Sequence, residues 1–180
     1  MIKVVLWDLD NTLLDFPAAE RVALRQTFAD FSLGFCTEEQ IARFSVLNLS
    51  WWKRLERGEI TKAQLLSGRF QEFFQAEGVP CTAYEDFNAA YQDHLGDTVV
   101  FLDDSDRLVR DLKGRVKQYA VTNGTRRAQE RKLAKSGLGE LLDGVFISED
   151  VGAEKPSQAC GTDRRPLQRI CGKRAEGQFP

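Results

Sequence analysis

Two aspartates stand one residue apart directly after an apolar run: Ile2-Lys3-Val4-Val5-Leu6-Trp7 leads into Asp8-Leu9-Asp10-Asn11-Thr12. Like charges this close are costly together unless a cation neutralises them. Two such oxygens suit Mg²⁺, which takes few protein carboxylates and keeps waters and phosphate oxygens as its other ligands. Further along, Thr122-Asn123-Gly124 follows a second apolar run, and Lys155-Pro156 comes shortly after a third. A hydroxyl, an amide and an ammonium beside the acid pair would suit the oxygens of a phosphoryl group. Plainer readings stand beside these. Asp8 and Asp10 could be solvated loop acids, Asn123-Gly124 a simple turn, and Lys155 a surface lysine.

The chemistry requires elements that bring the three places together. Ile2–Trp7 reads as a buried, parallel strand, and Val116–Val121 and Gly144–Ser148 read as two more. Between the first and second strands the text is helical. Apolar residues keep helical spacing over Glu20–Phe31, and Thr37-Glu38-Glu39-Gln40 and Thr61-Lys62-Ala63-Gln64 are capping-box patterns. Tyr84–Leu95 reads as one more helix, and Asp106–Lys113 and Arg126–Ser136 as two that alternate with the later strands. The expected fold is α/β: a parallel-sheet core over 1–15 and 98–156, interrupted by a helical insert over 16–97. Open parallel sheets gather ligands at the carboxyl ends of their strands, where all three clusters fall.

Composition narrows the classes. The 180 residues are 42% hydrophobic and 29% charged, with a net charge of −2, as expected of a soluble globular protein. Near-neutral charge gives no reason to expect nucleic acid or a membrane surface as partner. With neither an apolar run of spanning length nor a signal-peptide pattern, a cytoplasmic protein is expected. The four cysteines show no metal-ligand spacing, so neither a zinc site nor a disulfide framework is expected. His94, the one histidine, has no partner that the sequence can name.

Asp8-Leu9-Asp10-Asn11-Thr12-Leu13 resembles the first motif of the haloacid dehalogenase (HAD) superfamily. Val121-Thr122-Asn123-Gly124 resembles its second motif and Lys155-Pro156 its third. The stretch Leu49–Thr61, continuing to Gly68-Arg69-Phe70, and the run Ile147–Pro156 resemble the YjjG-type pyrimidine 5′-nucleotidases of that superfamily. The resemblance covers residues 1–156. It implies a HAD-like Rossmannoid core with a C1-type helical cap and a Mg²⁺-dependent phosphatase. The substrate implied is a small phosphomonoester, most simply a nucleoside 5′-monophosphate; a sugar phosphate is the alternative.

By that resemblance Asp8 is the nucleophile that forms an aspartyl-phosphate, and Asp10 the general acid/base. Mg²⁺ is held by the Asp8 carboxylate and the Asp10 main-chain carbonyl. Thr122 and Asn123 bind the phosphoryl oxygens, and Lys155 holds and neutralises them. The cap aromatics Trp51, Trp52, Phe70, Phe73 and Phe74 read chiefly as core. Adjacent tryptophans point about 100° apart on a helix, which leaves one of the two free to lie near a nucleobase.

The pattern departs from the superfamily after Pro156. No acidic GDxxxxD loop follows, and residues 157–180 carry five basic side chains (Arg164, Arg165, Arg169, Lys173, Arg174) against Asp163 and Glu176. The periodicity stops there too. The last core units are therefore expected to be missing or frameshifted, the basic tail to be aberrant and disordered, and activity to be impaired. A non-catalytic phosphate-binding remnant is the third reading.

Overall fold

A computed structural model of the protein describes residues 2–155. Three short apolar runs form strands β1 (Val4–Trp7), β2 (Lys117–Thr122) and β3 (Gly144–Ile147). They lie parallel in the order β1-β2-β3, with Trp7 opposite Ala120 and Thr122 opposite Ile147. Parallel neighbours need long crossovers. Helices α1 (Phe16–Asp30), α2 (Glu38–Glu56), α3 (Lys62–Glu77), α4 (Tyr84–Asp97) and α5 (Ser105–Leu112) make the first. Helices α6 (Arg126–Ser136) and α7 (Leu138–Leu141) make the second, and α8 (Ser148–Val151) follows β3. This is the α/β alternation that the sequence implied.

Local signals set the helix ends. The Asp15 carboxylate accepts from the Ala18 N–H at 3.0 Å and Pro17 sits in the first turn, so α1 begins at Phe16, earlier than its apolar spacing suggests. Both capping boxes form, at Thr37/Gln40 and Thr61/Gln64.

Two apolar cores result. One lies among α1–α4, where Phe28, Phe44, Phe70, Phe73, Phe74, Phe87 and Tyr91 are buried against one another. Phe44 stacks on Phe70 with centroids 5.0 Å apart, and Phe28 meets Phe87 edge-on at 5.8 Å. Such pairs add about 0.5–1.5 kcal/mol beyond the area they bury. The other core joins Leu9, Leu13, Leu14, Val109, Ala120 and Leu138 around the sheet.

The two cores meet where α4 crosses α6. Gly96 lets the helices approach: a Cβ there would stand 2.7 Å from the Arg131 Cβ and 3.0 Å from the Ala128 main-chain oxygen. Arg127 pairs with Asp93 and Arg131 with Asp97, each within 2.6 Å, across the same crossing. At the sheet, the chain leaves for the helices and returns from them side by side. The Asp15 N–H donates to the Val100 carbonyl at 2.8 Å, and the Leu102 N–H to the Leu13 carbonyl at 3.0 Å.

Two expectations change. The β1 text reads as buried, yet Val4 is 45% and Leu6 50% exposed, because they share one face of the strand that the described residues leave largely uncovered. His94 does have a partner: its Nε2 lies 2.6 Å from Asp30. No described helix is long and apolar enough to cross a membrane. Pro156, the basic tail and the expected loss of the last core units lie outside the described residues.

Candidate active site

Leu9, between the two aspartates, is fully buried in the core around the sheet, and of the two acids Asp8 is the more exposed. The turn that follows is tight. The Leu9 carbonyl accepts from the Leu13 and Leu14 N–H groups at 2.9 Å each, and Asn11 takes a left-handed φ of 61° that asparagine tolerates better than most residues. Asp8 is half-exposed at the mouth. Its Oδ1 accepts from the Leu9 N–H at 3.0 Å and from the Lys155 ammonium at 2.8 Å, and among the described residues its Oδ2 has no protein partner.

Lys155 also donates to the Val121 carbonyl at 2.7 Å, so its ammonium bridges the end of β2 and the acid after β1. Asn123 fixes the loop that carries it. The Asn123 Nδ2 donates to the Lys155 carbonyl and the Oδ1 accepts from the Lys155 N–H, both at 2.8 Å. With its amide engaged in this way, Asn123 positions the lysine. Thr122, 2% exposed at the end of β2, accepts from the Gly124 N–H at 3.1 Å. Asp8, Asn123 and Lys155 thus meet at the carboxyl ends of β1 and β2, with Thr122 next to Asn123 in the chain and Asp10 turned to a different set of partners.

Two residues that the sequence reading did not single out hold Asp10. Gln129 Nε2 donates to Asp10 Oδ2 at 2.7 Å, and the Lys132 ammonium pairs with Oδ1. Both are on α6, one turn apart, and both are about 1% exposed. The available signal was a lysine placed in the buried stripe of Ala128, Leu133 and Ser136.

The helical segment contributes from above. Lys62, at the start of α3, donates to the Asn123 carbonyl at 2.8 Å and to the Ser148 hydroxyl at 2.9 Å, and lies 2.9 Å from Glu154. Trp52 lines a cavity of about 20 Å³ together with Asp10, Phe16, Arg69, Gln92 and Gln129, space for a single water. Trp51 faces elsewhere, lying against Gly68 and donating to Glu72 at 2.9 Å.

Behind the cavity runs a buried polar network. Arg69 donates to Asn48 and Asn88 at 2.8 Å each, and Asn48 donates to Glu20 at 2.8 Å. Burial pushes the Glu20 carboxyl up and the Arg69 guanidinium down from their ordinary values, and holds the Tyr91 hydroxyl well above its own. At the far end Gln92 accepts from the Thr125 hydroxyl at 2.7 Å, which ties α4 to the residue that caps α6.

The haloacid dehalogenase-like hydrolase family model matches residues 2–171, a stretch that runs past Pro156. HAD-hydrolase YfnB of Bacillus subtilis is 32% identical over 158 residues, which cover 86% of this chain and 65% of that protein. Its magnesium-bound structure matches with a TM-score of 0.83 at 26% identity, covering 98% of this chain and 76% of that one. Pyrimidine 5′-nucleotidase PynA of Streptococcus pneumoniae is 37% identical over 157 residues, again 86% of this chain and 65% of the relative. Pyrimidine 5′-nucleotidase YjjG of Escherichia coli is 29% identical over 154 residues, with shares of 86% and 66%. The chain therefore spans just under two thirds of the length of these relatives.

Proposed function

The chain belongs to the haloacid dehalogenase-like hydrolase family, and on that premise we propose that its site is that of a phosphomonoesterase acting on a nucleoside 5′-monophosphate. The observation that carries the reading is the contact of the Lys155 ammonium with Asp8 Oδ1, 2.8 Å apart across the strand ends. A carboxylate held by a lysine on one oxygen and open on the other is suited to attack phosphorus. The lysine is also close enough to neutralise the phosphoryl oxygens as they approach.

Asp8 forms a bond to phosphorus through Oδ2 while the bond to the leaving ester oxygen breaks. Asp10, in its protonated form, gives that oxygen its proton, then takes one from the water that releases phosphate from Asp8. Thr122 and the main chain around Asn123 face the transferring group from the end of β2. Trp52 lines the water-sized cavity beside Asp10, and the likeness to two pyrimidine 5′-nucleotidases supports a nucleotide substrate.

Among the described residues no three His, Cys, Asp or Glu side chains converge. The Asp8 carboxylate and the Asp10 main-chain carbonyl are oxygen donors of the kind Mg²⁺ accepts alongside water. In donor chemistry these two oxygens fit that ion. When bound, it would supply charge neutralisation to the phosphoryl oxygens.

The test is Mg²⁺-dependent release of phosphate by the full chain from a panel of uridine, deoxyuridine and sugar monophosphates. Nucleotide turnover that disappears in Asp8→Asn is the expected result. A preference for sugar phosphates would replace the substrate reading, and no release from any ester would sink the enzyme reading.

A further inference from the structure

The grip on Asp10 is unusual for the face of a helix that is otherwise packed. Lys132 is 1% exposed, and its neighbours at the ammonium are the Asp10 carboxylate and the Phe16 ring, 5.4 Å from Nζ to the centroid. Taking an ammonium out of water is expensive, and an unbranched apolar side chain would fill the same stripe at lower cost. Gln129, one turn earlier, takes the other carboxylate oxygen at 2.7 Å. With both oxygens held, the carboxylate has one orientation about its Cβ–Cγ bond.

The helix that supplies the grip is itself anchored. Thr125 caps α6 and donates to Gln92 of α4, and Arg127 and Arg131 are paired with Asp93 and Asp97 of the same helix. The orientation of Asp10 is therefore set by where α6 lies against α4.

We propose that Lys132, with Gln129, is a positioning residue that aims the Asp10 carboxyl at the leaving ester oxygen. The inference rests on the reading of Asp10 as the general acid/base and goes beyond it. Neither residue touches the substrate. A misaimed acid slows departure of a poor leaving group, such as a ribose hydroxyl, far more than departure of p-nitrophenolate, which leaves without a proton. Loss of packing alone would slow both esters alike.

The experiment compares kcat/KM for uridine monophosphate and p-nitrophenyl phosphate in the full chain and in Lys132→Met, Lys132→Arg and Gln129→Leu. Lys132→Met should lower kcat/KM for the nucleotide roughly a hundredfold and for the aryl ester much less, with Lys132→Arg restoring most of the loss. Gln129→Leu should show the same selectivity with a smaller effect. Equal losses on both esters, or no loss, would overturn the proposal.

A second measurement separates this from the function itself. Melting temperatures are taken for Asp10→Asn, Lys132→Met and the double variant. An unpaired buried ammonium makes Asp10→Asn the least stable, so the double variant should melt above it. Additive shifts would overturn the pairing even in an active enzyme. A parent chain that releases no phosphate, while the cycle still shows coupling, would overturn the phosphatase reading and the aiming role together, leaving a structural ion pair.

Discussion

The Lys62 ammonium lies 2.8 Å from the main-chain oxygen of Asn123, so the first residue of α3 touches the loop that ends β2. The same ammonium reaches Ser148 and Glu154, and it is 14% exposed. Hydrogen bonds from a charged donor contribute about 1.5–3 kcal/mol when largely shielded. Lys62→Met should therefore lower the unfolding free energy by about 2 kcal/mol and raise KM, because both loops that flank Lys155 lose a shared anchor. Urea denaturation and a substrate titration measure the two effects. An unchanged midpoint would show that the contact contributes nothing.

Trp51 and Trp52 should respond in opposite ways. Trp52 borders the cavity beside Asp10, whereas Trp51 packs on Gly68 and donates to Glu72. Trp52→Ala is expected to weaken nucleotide turnover relative to p-nitrophenyl phosphate. Trp51→Ala is expected to cost about 1 kcal/mol of stability and leave that ratio alone. Steady-state kinetics on both esters, with thermal melts, would expose a reversed assignment.

Gly96→Ala tests the α4–α6 crossing. In an exposed helix interior, replacing glycine with alanine adds up to about 1 kcal/mol of stability. Here the added methyl would meet the Arg131 Cβ at 2.7 Å and the Ala128 oxygen at 3.0 Å. The crossing must widen, so a loss of about 1–3 kcal/mol is expected instead. A higher melting temperature in this variant would mean that the helices part easily.

Acid should weaken the same crossing. The hydrogen bonds from Arg127 and Arg131 hold the Asp93 and Asp97 carboxyls below their usual range. A depressed folded value contributes stability above the unfolded value, near 3.9, and loses it as pH falls through the folded one. The decline therefore belongs below about pH 4. Glu20, raised by burial, acts with the opposite sign and removes stability as pH rises through its folded value. Melts between pH 7 and 3 should show a shallower acid limb in Asp93→Asn/Asp97→Asn. An unaltered limb would assign the acid loss to other carboxyls.

What could be read from the sequence was local. Asp8 and Asp10 announce themselves because two acids directly follow an apolar run, and both capping boxes lie within four residues. The turn of Trp52 toward the site and Trp51 away follows from helical geometry, though which one faced inward did not. For Lys132 the sequence offered one faint signal, its place in the buried stripe of α6, and nothing that named its partner. It lies 122 residues from Asp10, in a helix where Arg126, Arg127, Arg131 and Lys135 hide one buried cation among exposed ones. The Asn123 clamp on the Lys155 main chain, 32 residues away, could not be read either, because a side-chain amide serves a backbone as readily as a phosphoryl oxygen. The exposure of Val4 and Leu6 depends on what covers their face of the sheet, and the text of β1 says nothing of that.

The side-by-side crossing of the chain at Leu13–Asp15 and Val100–Leu102 has a consequence for how the molecule could have been assembled. Helices α1–α4, about eighty residues of chain, begin and end at neighbouring points on the sheet. Closing so long a loop costs only about 2 kcal/mol more entropy than closing one of ten residues. The backbone around the two aspartates is thus arranged as if a short turn could replace the whole helical segment. Segments of many lengths and shapes can be exchanged at such a junction while the geometry of the strands beneath stays as it is.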